Sequence, residues 1–104
     1  MRGLRGAWRH ESAFRQEVCA SLLVLPLAVW LGEDAVQVVL LGASWLLVLI
    51  TELLNTAVEA VVDRVGEEPH HLAGMAKDVG SAAVFMSLVL ATFVWGVLLW
   101  ARFA

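Results

Sequence analysis

Glu52, Asn55, Glu59 and Asp63 place three carboxyl groups and one amide within twelve residues of an otherwise apolar stretch, ELLNTAVEAVVD. On an α-helix, at 100° per residue, they fall at roughly 0°, −60°, −20° and +20°, so all four share one stripe about 80° wide. Carboxylates set that close repel unless a cation is shared between them. Magnesium takes one or two carboxylates and leaves its other positions to water and phosphate oxygens, which suits a nucleotide site. The plainer alternative is a stripe that only joins helices through hydrogen bonds, a task given more often to Ser, Thr or Asn.

The element that holds the stripe is set by composition. Of 104 residues, 61% are hydrophobic and 16% charged, with a mean hydropathy of +0.80, far too apolar for an ordinary soluble domain of this size. An integral membrane protein is the consequence. Each crossing needs ~20 apolar helical residues, so three crossings use about 60 residues and leave short connections. The expectation is an all-α membrane protein in one domain, residues 1–104.

Five parts are expected along the chain. Residues 2–17 are polar and basic, and Leu4, Ala7, Trp8 and Phe14 supply the apolar side of an amphipathic surface helix. Residues 18–31, VCASLLVLPLAVWL, form a first span that is short and must borrow a turn from the preceding helix; Pro26 is expected to kink it. After the turn Gly32-Glu33-Asp34, with Asp34 as N-cap, a second helix runs over residues 35–65 and extends into the cytoplasm. Residues 66–78, GEEPHHLAGMAKD, are expected as a polar loop, with Gly66 as C-cap and Pro69 in the first turn of the next element; the third span covers residues 79–103. Residues 1–17 lack an apolar core and a small-residue cleavage site, so no cleaved leader is expected there.

Arg2, Arg5, Arg9 and Arg15 precede the first span and Arg64 and Lys77 flank the second connection, whereas the first turn holds Glu33 and Asp34. Positive charge stays on the cytoplasmic side, so the N-terminus and the 66–78 connection face the cytoplasm, with Arg102 as the exception. If the second span enters the hydrocarbon near Val36, Glu52 lies ~24 Å along a core of ~30 Å. It therefore stands just inside the cytoplasmic boundary. An ionisable group at such a depth costs about 2.5–3.5 kcal/mol even on insertion scales, so it is normally buried against protein or water and functional.

Several classes fall away. A net charge of −3 with no basic stripe excludes a nucleic-acid surface. Cys19 is the one cysteine and lies in an apolar run, which leaves no intrachain disulfide and makes it a small core residue. Two adjacent histidines, His70 and His71, cannot easily bind one metal, and with His10 they read as solvated. The five tryptophans mark interfaces and packing, Trp100 the membrane boundary. Arg15 and Glu11 stand at i,i+4 spacing, worth only ~0.2–0.5 kcal/mol. Gly80, Ser81, Ala82 and Ala83 allow helices to approach closely, which points to oligomerisation. There is no GxxxxGK[ST] loop, protein-kinase glycine loop or HRD segment.

Three segments, ESAFRQE (11–17), ELLNTAVEAVVDRVG (52–66) and AKDVGSAA (76–83), resemble the prokaryotic diacylglycerol kinase family along nearly the whole chain. The resemblance implies a homotrimer of three-span subunits in the bacterial inner membrane that transfers the γ-phosphoryl of Mg·ATP to the primary hydroxyl of diacylglycerol. By that likeness Glu52 is the general base and Asn55 helps to orient it. Glu11 and Glu59 hold the metal on ATP, and Lys77, Asp78, Glu68 and His70 contact the nucleotide. Arg15, Gln16, Glu17, Trp30 and Ser81 lie along the lipid groove with Glu52. Sites shared between neighbouring subunits are part of the same expectation. Family members commonly carry a further surface segment ahead of the position of Met1, which bears on nucleotide affinity.

Positioning and charge neutralisation dominate phosphoryl transfer, so carboxylates, a metal and a lysine suffice as a kit. Two other readings remain open at this point. Some members of the same family phosphorylate undecaprenol, and pocket shape sets the choice of alcohol; the ESAFRQE form resembles the diacylglycerol branch. A small proton-coupled multidrug transporter has similar length, but it needs four spans and a carboxylate in the first, and residues 18–31 have none.

Overall fold

The structure is a computed structural model that describes residues 2–10, 12–65 and 71–104. Among the described residues there are four helices: α1 (Arg2–His10), α2 (Ser12–Leu31), α3 (Ala35–Val65) and α4 (His71–Phe103). The last three contain stretches long and apolar enough to cross a membrane, which makes this an all-α membrane protein with three spans. At 1.5 Å per residue, α3 and α4 are ~46 and ~50 Å long, well over a hydrocarbon core of ~30 Å, so both project beyond it.

The first turn is built by reciprocal capping. Asp34 Oδ1 accepts from Gln37 N at 2.8 Å, and Gln37 Oε1 in turn accepts from Glu33 N at 3.0 Å, tying the chain just ahead of α3 to its first turn. Gly32 closes α2 onto this cap. A Cβ there would lie 2.8 Å from Val38 N, so only a residue without a side chain lets the two helix ends meet. Pro26 lies inside α2 without ending it.

Helix α3 occupies the middle, with α4 packed along it antiparallel and α2 on a further side. The partners of α3 and α4 run in opposite order: Leu41 O accepts from Trp95 Nε1 at 3.0 Å, Thr51 donates to Ser87 at 2.8 Å, and Asp63 pairs with Lys77 at 2.6 Å. Trp45 Nε1 donates to Ser21 Oγ at 2.7 Å, and Ser21 donates on to the Glu17 carbonyl at 2.8 Å, fixing α3 against α2. In lipid these bonds matter because apolar side chains gain little by leaving acyl chains for protein. A tight apolar knot of Ala28, Leu31 and Leu41, with Trp95 and Leu98 against it, joins α2, α3 and α4 toward the end opposite the carboxylates.

Several expectations differ from the structure. Helix α4 begins at His71, so residues 71–78 are helical and not loop. The reason is that Leu72, Ala73, Met75 and Ala76 are good helix formers, and polarity ends a membrane span without ending a helix. Similarly, residues 12–17 belong to the same helix as the first span. Ala7 and Phe14, expected on a membrane-facing side, are buried within the protein at 8% and 7% exposure. Gly66 and Pro69 lie outside the described residues.

Candidate active site

The stripe on α3 opens into a cavity of about 270 Å³ lined by Glu52, Asn55, Thr56 and Glu59 from α3, Ser81 and Val84 from α4, and Ala7 and Phe14 from the N-terminal helices. Helical geometry explains the α4 contribution. Lys77, Gly80, Ser81 and Val84 fall within about 100° of one another, so the face that carries the lysine also carries the small residues that meet α3. Extending the helix back to His71 is what puts Lys77 on that face; a loop at 66–78 would have left its direction unspecified.

Four carboxyl groups are ordered along α2 and α3. Those of Glu17 and Glu52 lie within hydrogen-bond reach of each other across the α2–α3 interface. Glu59 Oε1 accepts from Asn55 Nδ2 at 3.2 Å, so the Asn55 amide is directed at Glu59 one turn on, and not at Glu52 as the family likeness implied. Beyond it Asp63 holds the Lys77 ammonium at 2.6 Å, with Glu59 close enough to add its charge. Among the described residues, two buried polar atoms, Glu17 Oε2 and Asn55 Oδ1, have no hydrogen-bond partner. Buried acceptors of this kind normally find a donor, and Asn55 lines the cavity that would supply one.

A second, more open cleft of about 590 Å³ adjoins the first and is lined by Gly3, Gly6 and Ala7 of α1 and by Ala57, Ala60, Glu59 and Asp63 of α3. Glu59 lines both cavities, as do Ala7, Leu53 and Thr56. The small residues keep the second cleft wide, and its carboxylates stand at its α3 wall.

The other sequence-predicted residues are distributed unevenly. Arg15 donates from Nη1 to the Arg9 carbonyl at 3.1 Å, which ties α2 back to α1. Gln16 and Asp78 are exposed. Trp30 is 67% exposed, thirteen residues beyond Glu17 on α2 and thus ~20 Å toward the opposite end, so the structure does not bring it to Glu52. Glu11, Glu68 and His70 lie outside the described residues. Among the described residues no three His, Cys, Asp or Glu side chains converge as a metal cage. A divalent ion carried on nucleotide phosphates needs only one or two carboxylates, so Glu59 at the junction of two cavities fits that lesser demand.

Sequence pattern does not mark Phe14, Thr56 or Gly80 as site residues. Phe14 reads as a surface position and Gly80 as a packing position, and nothing local distinguishes Thr56 from its neighbours.

An all-α membrane protein whose acidic cleft opens near one end of its spans is the class that fold and site define. A family model described as prokaryotic diacylglycerol kinase matches residues 1–99. The diacylglycerol kinase of Escherichia coli K12 is 54% identical over 102 residues, covering 98% of this chain and 84% of that protein. Those of Haemophilus influenzae and Pseudomonas aeruginosa are 48% and 45% identical, covering 92% and 93% of this chain and 81% and 79% of theirs. The chain belongs to the prokaryotic diacylglycerol kinase family, and as such it is a lipid kinase of a bacterial membrane.

Proposed function

We propose that this chain, as a homotrimer in the bacterial inner membrane, transfers the γ-phosphoryl group of ATP to the primary hydroxyl of diacylglycerol and releases phosphatidic acid and ADP. Diacylglycerol kinase activity follows from the family; the assignment of residues to steps rests on the cleft. The observation that supports it best is the convergence of Glu52, Asn55, Glu59 and Ser81 on one cavity near the end of the spans. A glyceride hydroxyl rests at the same level of the membrane.

In this reading the alcohol enters the first cavity and the phosphates lie along the second. Glu52 takes the hydroxyl proton as the oxygen attacks the γ-phosphorus, and the bond from that phosphorus to the bridging oxygen breaks as ADP leaves. Lys77 gives up part of its pairing with Asp63 to face the phosphates. Asn55 steadies the Glu59 carboxylate. Glu59, with Glu11, would hold magnesium, which when bound neutralises phosphate charge. Asp78, Glu68 and His70 are assigned to the nucleotide, and Arg15, Gln16, Glu17 and Ser81 to the lipid headgroup side. Any contact of Trp30 with the lipid falls at the far end of the acyl tail.

The test supplies purified protein in mixed micelles with labelled ATP, magnesium and either diacylglycerol or undecaprenol. Labelled phosphatidic acid is expected. Glu52→Gln should retain the fold and nucleotide binding and reduce turnover by about 10²-fold or more. Near-normal turnover in that variant removes Glu52 as the base.

A further inference from the structure

Gly80 lies where α4 crosses the carboxylate stripe, and its surroundings differ from those of the other glycines in the helix. A methyl group at Gly74 or Gly96 would meet nothing within 4 Å, whereas at Gly80 it would overlap Asn55 Oδ1 and lie 3.2 Å from Asn55 Cγ. The Asn55 Cα is 3.9 Å away, an ordinary contact. The space at Gly80 is therefore filled by the amide of Asn55 and not by the backbone of α3.

That seat sets where the amide lies, and the bond to Glu59 sets which way it faces. With its oxygen against Gly80, Asn55 presents Nδ2 to Glu59 Oε1 at 3.2 Å. The reverse orientation would set amide oxygen against carboxylate oxygen, so the hydrogen-bond pattern selects one of the two. Asn55 Oδ1 is buried without a hydrogen-bond partner of its own, so its contact with Gly80 is one of shape.

We propose that Gly80 is a positioning residue for phosphoryl transfer: its missing side chain forms the seat that aims the Asn55 amide at Glu59 and so sets the direction of that carboxylate. The inference rests on the reading of Glu59 as a metal carboxylate, and it assigns Gly80 a role beyond close helix packing. An outer residue that orients a metal-binding carboxylate typically changes metal affinity when it is lost. Because the clash at Gly80 is with the far end of a side chain, adding a methyl group there should displace Asn55 and leave the helices paired.

The experiment is a cycle of Gly80→Ala, Asn55→Ala and the double variant, on the full chain in micelles. Without metal, Gly80→Ala alone is expected to lower the thermal unfolding midpoint by ~5 °C. In the Asn55→Ala background the same substitution should leave the midpoint unchanged or raise it, because alanine favours helix over glycine once the amide is gone. The magnesium concentration for half-maximal turnover should rise roughly tenfold in Gly80→Ala, with no further rise in the double variant over Asn55→Ala. An equal fall in midpoint in both backgrounds, or a magnesium requirement that Gly80→Ala leaves unmoved, overturns the proposal. If Gly80→Ala does not assemble, recovery of assembly in the double variant supports the seat and failure to recover overturns it. A wild-type protein whose turnover ignores magnesium sinks instead the reading of Glu59, while the change of sign in the midpoints still reports on the seat.

Discussion

Glu59 stands where two cavities meet and accepts from Asn55, so its amide counterpart separates charge from shape. Glu59→Gln keeps the volume, removes the negative charge and sets an amide where Asn55 donates. If Glu59 holds a divalent ion on the phosphates, the variant should require roughly tenfold or more magnesium for half-maximal turnover while retaining the wild-type KM for diacylglycerol. Titrating magnesium at saturating lipid decides this: an unchanged magnesium response, or a loss confined to the lipid KM, removes Glu59 from the metal. The four members of the stripe were legible in the sequence because one helix fixes their angles, whatever else the chain does. The approach of Glu17 to Glu52 and the seat of Asn55 on Gly80 were not. Both depend on the register between helices far apart in sequence, and a single residue of slip along α4 would turn Gly80 aside by 100°.

At the scale of elements, the helices were legible from apolar runs, and the end of one was not. The stretch HLAGMAKD reads as a loop because it is polar, yet its residues favour helix, and its helical continuation sets Lys77 on the face that meets α3. Hydropathy locates the membrane; propensity locates the helix. The same distinction governs stability. Leu41 is 1% exposed within the knot that joins α2, α3 and α4, and its carbonyl receives the Trp95 indole. Truncation of a buried leucine in water loses both transfer and cavity terms, but against lipid the transfer term nearly vanishes. Leu41→Ala should therefore cost only the cavity part, about 1–3 kcal/mol, with unfolding in micelles as the measurement. Leu22→Ala, at a position 75% exposed in the single chain, should cost almost nothing. An equal loss at Leu22 would place that face against another subunit and make the oligomer part of the fold.

For the whole molecule, antiparallel packing decides which charges share an end. The N-terminal helix, the end of α3 and the start of α4 gather Arg2, Arg5, Arg9, Arg64 and Lys77 together, and the α2–α3 turn carries Glu33 and Asp34 at the other end. The catalytic reading needs the basic end to face the cytoplasm, because ATP is there and Glu52 lies toward that end of α3. Charge bias alone gives the same orientation. Single-cysteine variants in a Cys19→Ser background test it directly, since Glu33 and Met75 are both exposed and lie at opposite ends. A membrane-impermeant maleimide applied to spheroplasts should label Glu33→Cys at once and Met75→Cys only after lysis. The reverse pattern would put the acidic cleft on the side without ATP, and no assignment of Glu52 as the base would survive it.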